Sequence, residues 1–207
     1  MPSGLHEAPM AIIQSSFHDF FCKIPYPKRR FLKINLLTNI TKDGTIPDLR
    51  ILMQNVRNPQ LTLIIPAIGQ TAFTQHLASL SITLRMAVET NSALLMIIVA
   101  IVQELHPYSS PVKGSNAFNV LLNKPQCSWD DFHPAVWLQG TESIDINTID
   151  PNLFAQGSLF PLDNNMTAVH TMINRGAEAI RETLIKLCQS MAPEMDLVPL
   201  RNPDIKF

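Results

Sequence analysis

Glycine is scarce in this chain and never clustered. Its seven glycines (Gly4, Gly44, Gly69, Gly114, Gly140, Gly157 and Gly176) are all isolated. A phosphate-cradling loop needs several glycines close together, so nucleotide chemistry is not expected. No G-x-S-x-G elbow is present either, which removes the usual setting of an activated serine. Cysteine is equally uninformative as a framework. Cys22, Cys127 and Cys188 are odd in number, far apart and free of any C-x-x-C spacing. That pattern fits a reducing compartment better than a disulfide scaffold. The start, MPSGLHEAPM, has no basic segment followed by a long apolar one, and no apolar run reaches the roughly 20 residues of a membrane span. A cytoplasmic protein without a membrane span is the expectation. The N-x-T triplets at Asn39 and Asn165 then have no glycosylation meaning.

Basic residues are missing from one long stretch. Pro125 to Asn174 contain no Lys or Arg but hold Asp130, Asp131, Glu142, Asp145, Asp150 and Asp163. Residues 1–33 have the opposite bias, with Lys23, Lys28, Arg29, Arg30 and Lys33 against Glu7 and Asp19. The formal net charge of -1 therefore hides a chain polarised along its length. One basic cluster beside a neutral whole is ordinarily a solvated surface, and nucleic acid is not the expected partner. With 46% hydrophobic residues, the 207-residue chain has enough apolar material for one full core.

Asn91–Leu105, NSALLMIIVAIVQEL, is the stretch that the rest must cover. Ala93–Val102 is an unbroken apolar run of ten residues, longer than the usual buried strand of about 4 to 8. Good helix formers at Ala93, Leu94, Leu95, Met96 and Ala100 favour a central buried helix over about 92–105, capped by Asn91 or Ser92 and ended by His106-Pro107. The β-branched Ile97, Ile98, Val99, Ile101 and Val102 favour a strand instead, and that alternative stays open.

Around this run, Ile13, Phe17, Phe21 and Ile24 predict a helix over 9–24, and the alternation Leu32, Ile34, Leu36 predicts a strand within 31–40. Leu49, Leu52, Met53 and Val56 have helical spacing and suggest a short helix over 45–56. Leu61–Ile65 reads as a second strand or buried coil ended by Pro66. Phe73, Leu77, Leu80, Leu84 and Val88 give a long amphipathic helix after Gly69. A short helix is expected over 117–123, with strands over 135–138 and 143–149. The stripe Val169, Met172, Ile173, Ile180, Leu184, Leu187 and Met191 marks a long C-terminal helix over about 166–191, with Thr167 able to cap it. The expected fold is α+β, helix-dominated with a small antiparallel sheet: a single domain over 1–192 and an extended C-terminal tail over 193–207.

Site chemistry is thin. Cys127-Ser-Trp-Asp-Asp-Phe-His133 places a thiol, two carboxylates and an imidazole in seven residues, the groups that a cysteine nucleophile or a metal site requires. No second ligand pair at a recognisable spacing accompanies it. The plainer reading has Ser128 capping a turn, with Trp129 and Phe132 packed. His76 and His170 read as ordinary helix histidines. No catalytic, cofactor or metal residue is assigned, and no enzyme is expected. The aromatic, proline-rich, base-free segment 125–165 offers rigid rings of the kind that anchor partners. Trp129, Phe132, Phe154 and Phe160 are the candidate partner contacts; closing the core is their other possible use.

In length, in charge balance, and in the layout of NSALLMIIVAIVQEL at the centre and MTAVHTMINRGAEAIRETLIKLCQSM as the last long helix, the chain resembles the LvgA family of small adaptors of the Legionella Dot/Icm type IV secretion system. That resemblance implies a cytosolic, non-enzymatic adaptor of the coupling complex. It would join the coupling protein DotL to the chaperones IcmS and IcmW and help recruit secreted effectors. No functional residue is carried over, because no motif fixes one. The residues alone support a binding or adaptor subunit, against two rivals: a self-assembling or nucleic-acid-associated viral structural protein, and an enzyme using Cys127 and His133.

Overall fold

The apolar run at the centre of the chain forms a strand. In a computed structural model that describes residues 4–27, 31–37, 47–58, 63–73, 77–103, 131–159 and 163–207, Met96–Gln103 is strand β4 of a six-stranded sheet. The expected helix over 92–105 is thereby overturned, as is the expectation of a helix-dominated fold with a small antiparallel sheet. The class remains α+β, but the sheet is large and mixed. The reason lies in its coverage. β4 alternates Met96, Ile98 and Ala100 towards one apolar cluster with Ile97 and Val99 towards another, and all five are buried. A strand covered on both faces shows no alternation of polarity, so it reads as a continuous apolar run. Each fully buried Ile or Val contributes about 1.5–3 kcal/mol of transfer free energy, whichever face it occupies.

The strands lie in chain order: β1 (Leu32–Leu37), β2 (Leu49–Asn55), β3 (Leu63–Phe73), β4, β5 (Asp131–Leu138) and β6 (Phe154–Gln156). All neighbours are antiparallel except β3 and β4, which are parallel. Helix α2 (Leu77–Thr90) makes the crossover that a parallel pair requires. Helices α1 (Gly4–Lys23) and α3 (Met166–Met191) contribute to the larger cluster on the other face. No helix among the described residues is long and apolar enough to cross a membrane.

Several local expectations change in the structure. The helix expected over 45–56 is strand β2, whose Leu49, Ile51 and Met53 alternate inward. Its ladder with β3 slips between Ile51 and Met53, where Ile65 and Pro66 oppose Leu52 alone. A proline in such a bulge removes no ladder hydrogen bond, so β3 runs through Pro66. Asp48, buried just before β2, accepts hydrogen bonds from Thr71 N (2.6 Å) and Gln70 Nε2 (3.1 Å) and pins the strand start to β3. Residues 69–73 belong to β3, so the following helix begins only at Leu77. Asn91 caps the end of α2, donating from Nδ2 to Ala87 O at 2.8 Å. The strand expected over 143–149 is a run of bends and turns, and the helix expected over 117–123 lies outside the described residues. The strand over 135–138 is the C-terminal half of β5.

The long C-terminal helix spans Met166–Met191, with Asn165 and not Thr167 at its N-cap. Residues 193–207, expected to be extended, contain a 3-10 turn over Val198–Arg201 and return to the core. Leu200 and Ile205 are buried, and the Phe207 ring sits 4.4 Å from that of Phe17. Arg181 of α3 holds this return in place, donating from Nη1 to Asn202 O (3.1 Å) and Ile205 O (3.0 Å).

Candidate functional site

Among the described residues, one edge of the sheet is open. β1 pairs only with β2 among these residues, and alternation along an antiparallel ladder fixes which of its groups face outward. Val56 N donates to Phe31 O at 2.9 Å, so Phe31, Lys33, Asn35 and Leu37 exchange hydrogen bonds with β2. The backbone N–H and C=O groups of Leu32, Ile34 and Leu36 therefore point away from the sheet. Among the described residues, the one bond found on that side goes from Gln14 Nε2 to Leu36 O, at 3.2 Å.

Helix α1 runs alongside this edge and makes it a groove. Gln14, Ser15, His18 and Cys22 face Leu32–Leu37 across a space of about 630 Å³, which Phe21 and Tyr26 also line. The α1 sequence explains the arrangement. Phe17, Phe20 and Ile24 turn into the core, which leaves Ala11, Ser15 and Cys22 on the solvent side, beside the edge. Cys22 Sγ lies 3.5 Å from His18 Nε2, one helical turn away. The floor is apolar through Leu32, Ile34 and Leu36, which pack with the main core. A space of this size, apolar at the base and bordered by unpaired backbone groups, suits an extended peptide better than a compact metabolite.

Tyr26 reports on the lining of the groove. Burial, with smaller contributions from Cys22 and Cys188, pushes its phenol up to about 12. Burial also raises the Cys188 thiol. Because the folded phenol ionises later than the ordinary value of 10.0, the unfolded chain loses its proton first. The Tyr26 contribution to stability is whole below pH 10 and is lost as pH rises through about 12. Absorbance titration at 295 nm should show a phenolate step near pH 12 that disappears in Tyr26→Phe. A Tyr26→Phe protein with an unchanged titration would refute the assignment.

The residues singled out in the sequence fall elsewhere. Phe132, on β5, packs against the main core, whereas Phe154, on β6, lies on the opposite face with its ring 4.9 Å from that of Trp137. The structure thus does not bring these two together, and Trp129 and Phe160 lie outside the described residues. His133 sits on β5 opposite Ile101, while Cys127 is outside the described residues, as are His76 and Lys28–Arg30. His170 is exposed on α3 beside Asn174. No group of three His, Cys, Asp or Glu side chains able to hold a metal occurs among the described residues.

No family model, curated protein or solved structure matches this chain. The groove itself was missed in the sequence. The alternation at Leu32, Ile34 and Leu36 signals a strand, but whether a strand ends a sheet depends on where all the others pair.

Proposed function

We propose that this chain is a non-enzymatic adaptor subunit that holds a protein partner in the groove between α1 and the outer edge of β1. The observation that supports this reading is the edge of β1, which has no neighbouring strand among the described residues, beside a ready-made helical wall. An exposed strand edge templates pairing with another chain, and natural proteins usually blunt or cover such edges. Here α1 stands beside the edge and leaves room between, which is how a strand-accepting groove is built. The resemblance to the LvgA family adds the type IV secretion context and makes DotL, IcmS, IcmW and secreted effectors the first partners to try.

The test combines capture with a variant that fills the groove. Tagged protein should retain DotL, IcmS or IcmW at low and moderate salt. Ser15→Trp, placed on the exposed side of α1, should cut that retention by about tenfold or more while leaving the melting temperature nearly unchanged. Recovery of nucleic acid alone, or of nothing but the chain itself, would overturn the adaptor reading in favour of a structural role.

A further inference from the structure

We infer that the groove takes one short extended segment of its partner, alternating apolar and acidic residues, added to β1 as a seventh strand. This inference rests on the adaptor reading and specifies the chemistry of the segment bound.

The backbone sets the mode. Leu32 and Ile34 present outward N–H and C=O groups, while Gln14 already occupies Leu36 O. Pairing is therefore confined to the first half of β1, and Gln14 marks where it stops. The side chains set the pattern. Leu32 and Ile34 point to the same face as α1, and Lys33 points to the other. A strand laid beside β1 has its side chains on those same two faces in alternation. Residues towards α1 meet Ile34 and the apolar floor; residues on the other face meet Lys33, for which a carboxylate is the favoured cross-strand neighbour. Among the described residues, no Asp or Glu lines the groove.

The experiment uses fluorescein-labelled peptides of alternating Val and Glu, and of alternating Val and Lys, followed by fluorescence anisotropy on the full chain. The Glu peptide should bind more tightly than the Lys peptide, by about three- to fivefold per charge contact, and Lys33→Glu should reverse that order. Two N-methylated forms of the Glu peptide supply the decisive control. Methylation of the nitrogens along one strand edge should weaken binding by about tenfold or more, and methylation along the other edge should leave it intact. Equal binding by both methylated forms, or a preference for the Lys peptide, would overturn the inference. If Ser15→Trp still abolished capture of the protein partner in that case, the adaptor reading would stand without strand addition. If capture itself were absent, the adaptor reading would fall.

Discussion

Gly176→Val is expected to destabilise the fold by about 3 kcal/mol, near the upper end of what overpacking a core costs. Gly176 is a helical residue of α3 that lies against the side chains of Met96 on β4 and Leu138 on β5. A Cβ built on it would collide with Met96 Sδ and stand 3.1 Å from Leu138 Cδ2. Met96 is fully buried, so its thioether can move aside only by repacking within a filled core. Glycine costs α3 about 1 kcal/mol of helix propensity relative to alanine, and the close approach of helix and sheet is what that loss secures. The measurement is urea denaturation of the wild type, Gly176→Val, Met96→Ala and the double variant. Met96→Ala alone should cost about 2–5 kcal/mol through the cavity it leaves. The double variant should be more stable than the sum of the two predicts, by about 1–2 kcal/mol, because the valine methyls occupy the vacated volume. Strict additivity would show that the two sites do not meet.

Arg181→Met should cost about 3 kcal/mol and should act first on residues 193–207. The guanidinium is nearly buried, pairs with Glu178, and satisfies two backbone carbonyls of the returning segment. Methionine preserves the apolar stem but leaves both carbonyls unmatched. The least costly response is for the segment to lift and let water reach them, exposing Leu200, Ile205 and the contact between Phe207 and Phe17. Hydrogen exchange followed by mass spectrometry should show protection lost over residues 197–207 before the sheet opens. Uniform loss of protection across α3 and β4 would mean that Arg181 supports the whole core and not this segment.

The readings that held were those in which one face is buried and the other is wet. The stripe from Val169 to Met191 gave the long C-terminal helix, and Leu32, Ile34 and Leu36 gave β1. The readings that failed involve elements whose neighbours are not implied by their own residues. Met96–Gln103 lost its strand signature because helices cover both of its faces. In β2, Leu49, Leu52, Met53 and Val56 match a helix as well as Leu49, Ile51 and Met53 match a strand, and only the pairing with β1 and β3 decides. Pro66 argued against β3 because the bulge that accommodates it is a property of two strands together. The candidate site escaped for the same reason: Gln14 and Ser15 are unremarkable helix residues until β1 is found beside them.

The meeting of α1 with the segment around Phe207 has a consequence during translation. The helix that buries Phe17 and Phe20 belongs to the first part of this sequence to leave a ribosome, and the ring that covers Phe17 to the last. At about 5–20 residues per second, the aromatic face of α1 waits roughly 10–40 s for its cover. The strands that α1 also packs on, β2 and β3, emerge sooner, yet their sheet is complete only after β5 and β6 arrive. A nascent chain of this design carries a sticky α1 while the residues from β1 to Phe207 are being made, and its yield in a cell should depend on whichever holdase meets that helix first.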